Sequence, residues 1–504
     1  LNIVFPNFQS LISHPGMSPL LLFSFVVAYF ILLLVVAYRT SRGSNNESFF
    51  IGNRNSNWML VAFGMIGTSL SGVTFVSVPG AVARDSFSYF QITLGYFLGY
   101  ILIAYVLLPL YYRLHLTSIY NYLNERLGMS SYKTGAAFFI LSRVLGATAR
   151  LYLVVNILQD AILSGFHVPF WLTTLIILLM ILLYTYEGGV KTIVWTDTLQ
   201  TTCMLGGMLI CVIYILHHLN LNLSGALQAM QVKGYSKIFF TDPDSKLFFL
   251  KQIIAGIFIT VTMTGMDQEM MQKSISVKTL KDSQKNMVVL GFIMLVVIFL
   301  FLFLGGLLHL FGAAENVPVT GDHLFPELAL HHMPHIVSVI FIIALISALF
   351  PSSDGAITAL TASFCIDILG INRDEHLDEA RRKKIRQRVH LVFIFVFLIF
   401  VLIYKWISSD SMIGIILKVA AYTYGPLLGL FSFSILTKRR LKNDWVPLVC
   451  ILSPICCFFL DKYQEYIFGN FHIGLELLLI NGIFTFIGLF IISKPGVSVA
   501  NEGK

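Results

Sequence analysis

Oxygen-bearing side chains follow a proline inside an otherwise apolar stretch, residues 347–367. Pro351 is followed directly by Ser352, Ser353 and Asp354. Proline has no amide hydrogen, so the carbonyl oxygen of Ser347, four residues earlier, loses its helical partner. A carboxylate within an apolar helix indicates a functional site by default, and hard cations prefer oxygen donors of these kinds. The stretch predicts a cation site in an ion-coupled membrane protein.

Two other apolar runs are interrupted near their middle by small and polar residues. One contains Gly67-Thr-Ser-Leu-Ser-Gly72 and Thr74, and the other contains Gly256, Thr260 and Thr264-Gly265. Small residues alone can serve only to let helices pack closely. Paired interruptions at matching places in two halves of a chain, however, indicate the binding site of a secondary transporter.

These polar residues lie at similar depths. A helix rises about 1.5 Å per residue, which places Gly67 to Leu70, Ser352 to Asp354, and Asp197 of a further apolar run in the inner half of a membrane. We therefore expect one cluster that combines backbone carbonyls, hydroxyls and two carboxylates.

The composition requires a lipid environment around most of the chain. Of 504 residues, 57% are hydrophobic and 12% are charged, and the mean hydropathy is +0.80, whereas soluble domains are about 25% charged. Apolar runs that can cross about 30 Å of hydrocarbon predict an all-α membrane protein with thirteen transmembrane helices. These are residues 19–37, 58–82, 91–111, 134–162, 170–186, 190–216, 247–271, 287–311, 336–366, 389–404, 412–436, 446–460 and 473–492.

The lysines and arginines give this arrangement an orientation. Most of the 34 basic residues, including the group from Lys273 to Lys285, fall on one side of thirteen alternating spans. That bias predicts an external N-terminus and a cytoplasmic C-terminus. The expected location is the plasma (inner) membrane. The net charge of +8 then belongs to cytoplasmic loops, and no nucleic-acid partner is needed. All six cysteines fall in spans, so no disulfide framework is predicted.

The whole chain, residues 1–504, reads as a single transporter domain. The interrupted spans are the second and the seventh, and a repeat of five spans is inverted across the membrane because five is odd. The predicted parts are a first helix at 19–37, inverted repeats at 58–216 and 247–436, and two extra helices within 446–492.

Four motifs resemble those of the sodium/solute symporter family. They are Gly67-Thr-Ser-Leu-Ser-Gly-Val-Thr-Phe75, the tract from Tyr184 to Gln200 with Gly188-Gly189 and Trp195-Thr-Asp197, Asp267-Gln-Glu-Met-Met-Gln272, and Tyr422-Thr-Tyr-Gly-Pro-Leu427. The resemblance extends over essentially the whole chain. It implies a leucine-transporter-like core of five-plus-five inverted repeats, and sodium as the coupling ion and the only metal bound.

The resemblance also implies a main sodium site. Its ligands would be the backbone carbonyls of Gly67, Leu70 and Ala348 and two consecutive hydroxyls. Those two positions are Pro351 and Ser352 in one register, and Ser352 and Ser353 in the other. Pro351 departs from the family pattern, and the freed carbonyl of Ser347 can replace a lost ligand.

A second cation is expected at Asp197 and Asp354. In some relatives an aspartate in the sixth span and hydroxyls in the ninth hold a second sodium; Asp197 matches the aspartate, while Asp354 and Gly355 occupy the hydroxyl positions. The second cation is either sodium or a proton. Alternatively, Asp354 forms a buried ion pair with Lys418 or Arg150.

The solute is expected beside the two interrupted helices. Candidate contacts are Ser71, Thr74, Tyr89, Gln252 and Thr260. Arg143 and Arg150 share one helix face, and a relative that carries a carboxylated sugar uses an arginine in this helix, which suggests an anionic substrate. The alternative is that these arginines pair with Asp354 or Asp160.

The predicted function is sodium-coupled secondary active import of a small polar solute by alternating access. The solute would be a sugar, a carboxylated sugar or another organic anion, and no enzymatic activity is expected. The histidines at 331 and 335 have the spacing of a helical metal pair, but Pro334 lies between them. A transporter-like membrane sensor, or an ion-conducting protein without concentrative uptake, remains the alternative.

Overall fold

Apolar helices make up nearly all of the computed structural model, which describes residues 19–41, 56–371, 373, 376–406 and 412–495. The first half contains α1 (Pro19–Ser41), α2 (Trp58–Ser69), α3 (Gly72–Gly80), α4 (Tyr89–Arg113), α5 (Met129–Leu158) and α6 (Phe170–His218). The second half contains α7 (Phe249–Gly265), α8 (Gln268–Ile275), α9 (Leu280–Ala314), α10 (His335–Ile368), α11 (Glu379–Tyr404), α12 (Met412–Thr423), α13 (Gly425–Leu436), α14 (Val446–Lys462) and α15 (Leu477–Ile492).

Short elements connect these helices. They are the helices Val82–Asp85, Asn121–Leu127, Leu223–Val232, Leu324–Glu327 and Gln464–Phe468, and the strands β1 (Arg440–Leu441) and β2 (Ser493–Lys494). The two strands pair antiparallel. The pairing joins the end of α13 to the end of α15.

The expected all-helical membrane fold agrees with the lengths of these helices. Among the described residues, seven helices are long and apolar enough to cross a bilayer, and the number rises to ten if each of three bent pairs is one span. Phe170–Tyr186 and Leu477–Ile492 are shorter apolar helices. The total of thirteen spans stays a prediction.

The fifth and sixth predicted spans belong to one continuous helix. Helix α6 has 49 residues, enough at about 1.5 Å per residue for two crossings of the hydrocarbon layer, and it includes the apolar parts Phe170–Tyr186 and Thr192–His218. A break was predicted at 187–189, but the backbone there is helical.

Both predicted interruptions are present as bends. The axes of α2 and α3 differ by 56°, and those of α7 and α8 by 67°. A third bend of 44° separates α12 from α13, where Gly425-Pro426 follows the break. This third bend was not predicted, although a Gly-Pro dipeptide is a strong turn signal.

Helix α10 lies at the centre of the fold. In its most apolar window 83% of the residues are buried, compared with 28% for α1 and 33% for α11. Lipid can therefore surround α1 and α11, whereas α10 contacts other helices over nearly its whole length. The polar residues after Pro351 are inside the protein because they belong to this central helix.

Two glycines let α4 and α7 touch backbone to backbone. A Cβ on Gly95 would overlap the carbonyl oxygen of Ile253, and a Cβ on Gly256 would overlap the carbonyl oxygen of Ile92. Gly256 was one of the residues that predicted an interruption, but it lies in the α-helical part of α7, before the π-helical turn at Val261–Gly265. Its role is close helix packing.

Candidate functional site

A small polar cavity of about 100 Å³ lies between the two bent helix pairs. Its polar lining comes from four helical segments. They contribute Ser69, Ser71 and Thr74 from α2 and α3, Tyr89, Tyr96 and Tyr100 from α4, Arg143 and Arg150 from α5, and Thr260 and Thr264 from α7. Apolar side chains of α9 and α12 complete it, among them Met294, Ile298 and Ile416.

Six of the seven predicted substrate contacts line this cavity: Ser71, Thr74, Tyr89, Arg143, Arg150 and Thr260. Gln252 does not, and its amide donates a hydrogen bond to the carbonyl of Lys246 at 2.6 Å. Gln252 is in the first turn of α7, about 12 Å along the helix from Thr260 at 1.5 Å per residue. The structure therefore does not place Gln252 at this cavity.

The two arginines of the cavity have different partners. Arg143 forms ion pairs with Glu269 and with Asp267, the latter at 3.7 Å. Among the described residues, no carboxylate oxygen lies within 4.0 Å of the Arg150 guanidinium. Arg150 is thus the cavity's cation that has no counter-ion in contact.

The alternative ion pairs considered from the sequence are not formed. Arg143 pairs with Asp267 and Glu269 rather than with Asp354 or Asp160. Lys418 is bound to Asp461 at 2.7 Å, and so it is not the partner of Asp354.

The break between α2 and α3 lies at two of the three backbone carbonyls that are predicted to bind sodium, those of Gly67 and Leu70. The last four carbonyls of a helix have no partner within that helix, and the partial negative charge of a helix C-terminus attracts cations. Gly67 is in the last turn of α2, and Leu70 follows in extended conformation (φ −94°, ψ 92°). These carbonyls suit a hard monovalent cation.

Glycine at position 67 allows α2 to approach the two helices that carry the other ligands. A Cβ there would overlap the hydroxyl of Thr201 in α6 and lie 3.4 Å from Cγ of Pro351 in α10. One turn earlier, a Cβ on Gly64 would lie 3.2 Å from Cβ of Asp197. The structure thus brings together the three helices expected to form one cluster.

The three serines of α10 make different contacts. The hydroxyl of Ser347 donates to the phenol oxygen of Tyr29 in α1 at 2.6 Å, and that of Ser352 donates to the carbonyl of Leu349 at 2.9 Å. The hydroxyl of Ser353 is buried and has no hydrogen-bond partner among the described residues. A buried polar atom without a partner is rare and costly, and a bound cation would satisfy it. This favours the register with Ser352 and Ser353.

Asp197 has a cationic partner that the sequence analysis did not assign. The ammonium of Lys273 lies 2.7 Å from its Oδ2 and 2.6 Å from the hydroxyl of Thr68. Lys273 was counted among the cytoplasmic basic residues, but its side chain is only 3% exposed. It is in α8 and is buried among other helices rather than exposed in a loop, whereas its side of the membrane stays a prediction.

Lys273 belongs to a buried series of alternating charges. Its ammonium is 3.6 Å from Glu269, which also pairs with Arg143. Arg143 in turn faces Asp267, which caps α8 by accepting from the amide of Glu269 at 2.9 Å and accepts from Tyr424 at 2.9 Å. Two cations and three carboxylates are joined in this series.

Asp354 has neutral partners. The phenol of Tyr184 in α6 donates to its Oδ2 at 2.7 Å, and the side chain is fully buried. Among the described residues, no lysine or arginine nitrogen lies within 4.0 Å of this carboxylate.

The charged residues of α8 had a signal in the sequence. Glu269 and Lys273 are four residues apart, a spacing that favours an ion pair on one helix face. The pair lies directly after an interrupted apolar run, where a second helix, α8, continues at an angle of 67° to the first. Treating Met271 as the end of the span placed Lys273 outside it.

Bent apolar helices around a polar, cation-suited cleft define a helical membrane transporter. The chain matches the family model "Sodium:solute symporter family" over residues 49–443, and it therefore belongs to that family. The expected family is confirmed, and with it sodium as the family's coupling ion.

Relatives cover this chain to different extents. The sodium/sialic acid symporter SiaT of Proteus mirabilis (strain HI4320) is 23% identical over 471 residues, 88% of both chains. The sodium-dependent multivitamin transporter of Oryctolagus cuniculus is 28% identical over 54% of this chain, and the match spans only 42% of that protein.

A solved structure supports the fold. The substrate-bound outward-open state of a Na+-coupled sialic acid symporter is similar with a TM-score of 0.80 at 19% identity. The similarity covers 93% of this chain and 97% of the other. At this identity it establishes the shared fold alone.

Proposed function

We propose that the protein is a secondary active symporter that uses a sodium gradient to import a small organic anion by alternating access. The observation that carries the substrate class is the guanidinium of Arg150, which faces the cavity with no carboxylate within 4.0 Å among the described residues. Arg150 is half-buried, and a cation that is partly removed from water without a counter-ion is costly, a cost that binding an anion would reduce.

The cavity offers further groups for such a solute. Arg150 can bind a carboxylate through two parallel hydrogen bonds, and the hydroxyls of Ser71, Thr74 and Thr260 can bind the remaining polar atoms. The phenols of Tyr89 and Tyr96 are 3.3 Å apart and add one polar edge to the site. Arg143 is less available because Glu269 and Asp267 already neutralise it.

Sodium would bind beside the solute at the break between α2 and α3. The proposed ligands are the carbonyls of Gly67, Leu70 and Ala348 and the hydroxyls of Ser352 and Ser353, with the carbonyl of Ser347 available next to Pro351. Support comes from the bend at this point and from the unpartnered hydroxyl of Ser353. The break thus belongs to both sites, because Ser71 and Thr74 follow it directly.

The proposed setting is the plasma (inner) membrane, with thirteen spans, the N-terminus outside and the C-terminus in the cytoplasm. Residues 58–216 and 247–436 would be the inverted repeats. The two sharpest bends, 56° and 67°, fall at the start of each repeat, which is where transporters of this kind bind their cargo.

Uptake into proteoliposomes tests the function. Vesicles that contain the purified protein should accumulate labelled small carboxylates, sialic acid among them, only under an inward sodium gradient. Arg150→Gln should raise KM for the transported carboxylate by roughly 10- to 100-fold, because a hydrogen bond to a charged group contributes about 1.5–3 kcal/mol. In the same variant, the KM for a neutral analogue should rise much less.

Arg84→Gln is the matched control, because Arg84 is a surface residue paired with its neighbour Asp85. It should leave uptake unchanged. Sodium-dependent binding without accumulation would instead identify a sensor, and sodium current without solute movement would identify an ion-conducting protein. If Arg150→Gln reduced uptake of charged and neutral solutes equally, the proposal that the substrate is an anion would be contradicted.

A further inference from the structure

The second cation site predicted at Asp197 already contains a positive charge. The Lys273 ammonium lies 2.7 Å from Oδ2 of Asp197, and the two side chains are 3% and 0% exposed. The hydroxyl of Thr68 lies 3.3 Å from the same oxygen and 2.6 Å from the ammonium. A carboxylate and a hydroxyl thus surround the ammonium as ligands would surround a small monovalent cation.

Lysine suits this substitution chemically. Its ammonium is a compact point charge with three donors, and here it meets Asp197, Thr68 and, at 3.6 Å, Glu269. These three groups come from α6, α2 and α8. Because the charge is covalently attached to α8, it cannot exchange with ions in solution.

In the part of the chain that the structure describes, no other lysine or arginine nitrogen lies within 4.0 Å of Asp197. The guanidinium of Arg143 is engaged by Glu269 and Asp267. If Lys273 were neutral or absent, Asp197 would be a fully buried carboxylate without a cation, which is unfavourable enough to recruit one. Its Oδ1 is buried without a hydrogen-bond partner, so an oxygen would be ready for that cation.

We propose that Lys273 is a built-in replacement for a second coupling cation at Asp197, so that the protein binds and transports one sodium ion per cycle. The proposal rests on the proposed function for the transport part only. It concerns the ion pair of Lys273 with Asp197. Asp354, whose carboxylate accepts a hydrogen bond from Tyr184, is not part of it.

Removing the tethered charge should create a second sodium site. Equilibrium binding of radioactive sodium to the purified full-length protein should give one ion per chain for the wild type and two for Lys273→Gln. The double variant Lys273→Gln/Asp197→Asn removes both charges and should return the count to one. Lys273→Arg keeps the charge and should also bind one.

Transport gives a second readout. In proteoliposomes, Lys273→Gln should move one more positive charge per solute than the wild type, and its sodium dependence should change from a Hill coefficient of about 1 towards 2. For a monovalent anion, uptake would change from electroneutral to electrogenic. The binding count does not require transport, so a protein that binds sodium without moving solute would contradict the proposed function and leave this inference intact.

Two sodium ions per wild-type chain, with the count lowered by Asp197→Asn, would overturn the proposal. A folded Lys273→Gln variant that still binds one ion would overturn it as well. If Lys273→Gln does not fold, Asp197→Asn alone decides: a count that stays at one supports Lys273 as the cation of Asp197, and a lower count contradicts it.

Discussion

Replacing Ser353 by alanine should affect the protein in opposite directions with and without sodium. The Ser353 hydroxyl is buried and has no hydrogen-bond partner among the described residues. An unsatisfied buried polar group costs about 1–3 kcal/mol, so its removal should stabilise the sodium-free protein by an amount in this range. In saturating sodium the same oxygen would be a ligand, and its loss should weaken binding.

The expected size follows from linkage. Sodium at 100 times its Kd stabilises the folded protein by about 2.7 kcal/mol. Losing about 2 kcal/mol of binding free energy weakens Kd roughly 30-fold, since 1.4 kcal/mol is tenfold, and the remaining stabilisation would be about 0.9 kcal/mol. Most of the sodium-induced rise in Tm should therefore disappear.

Thermal unfolding of the purified protein measures both effects, with choline chloride replacing sodium chloride at constant ionic strength. Ser352→Ala is the matched variant, because the Ser352 hydroxyl donates to the Leu349 carbonyl; in sodium-free buffer it should lose stability rather than gain it. Both variants should reduce the sodium response if both hydroxyls bind the ion. An unchanged sodium response in both variants would place the ion elsewhere, and a destabilised sodium-free Ser353→Ala would refute the unsatisfied hydroxyl.

Two further predictions concern the membrane topology and the segment between α9 and α10. Single cysteines at Lys237 and Arg382 in a cysteine-free background should react with an impermeant maleimide from opposite sides of the membrane, and same-side labelling would remove the thirteen-span arrangement. Burial raises the pKa of Asp322, opposed by the amide of Met412 that donates to it at 3.0 Å. Because the folded pKa is raised, the favourable contribution of Asp322 is complete below its unfolded pKa of about 3.9 and is lost as pH rises through the folded pKa. The Tm of Asp322→Asn should therefore equal that of the wild type near pH 4 and exceed it at pH 7. A wild-type Tm that rises relative to the variant's between these pH values would contradict the expected direction.

The features predicted best from the sequence are those set by local composition. Glycine and hydroxyl residues at 67–74 and 260–265 interrupt long apolar runs, and bends of 56° and 67° occur there. Asp197 and Asp354 were singled out because a carboxylate in an apolar helix is costly wherever it lies. Such signals depend on the residue and its own helix, so they can be read without knowing the neighbours.

The pairing of charges depends on which helices become neighbours. The sequence offered Asp354 or Asp160 as partners for Arg143, but α8 brings Asp267 and Glu269 to it instead. Lys273 was assigned to a cytoplasmic loop because a lysine at the end of an apolar run usually marks the membrane edge. Only the path of the chain after the bend between α7 and α8 shows that the side chain of this lysine is buried in the protein.

The paired glycines of α4 and α7 limit how the transport cycle can be built. Gly95 and Gly256 let the two backbones touch, each facing a carbonyl oxygen of the other helix, and sliding one past the other would drive Ile92 or Ile253 backbone atoms into the gap. We therefore expect the two helices to move as one rigid unit. We expect a rearrangement that opens the cavity to move them together, with its pivot further along α7, in the π-helical turn at Val261–Gly265 and the bend that follows. A cross-link engineered between the two helices near the glycines should then leave transport unchanged, whereas a cross-link across the pivot should abolish it.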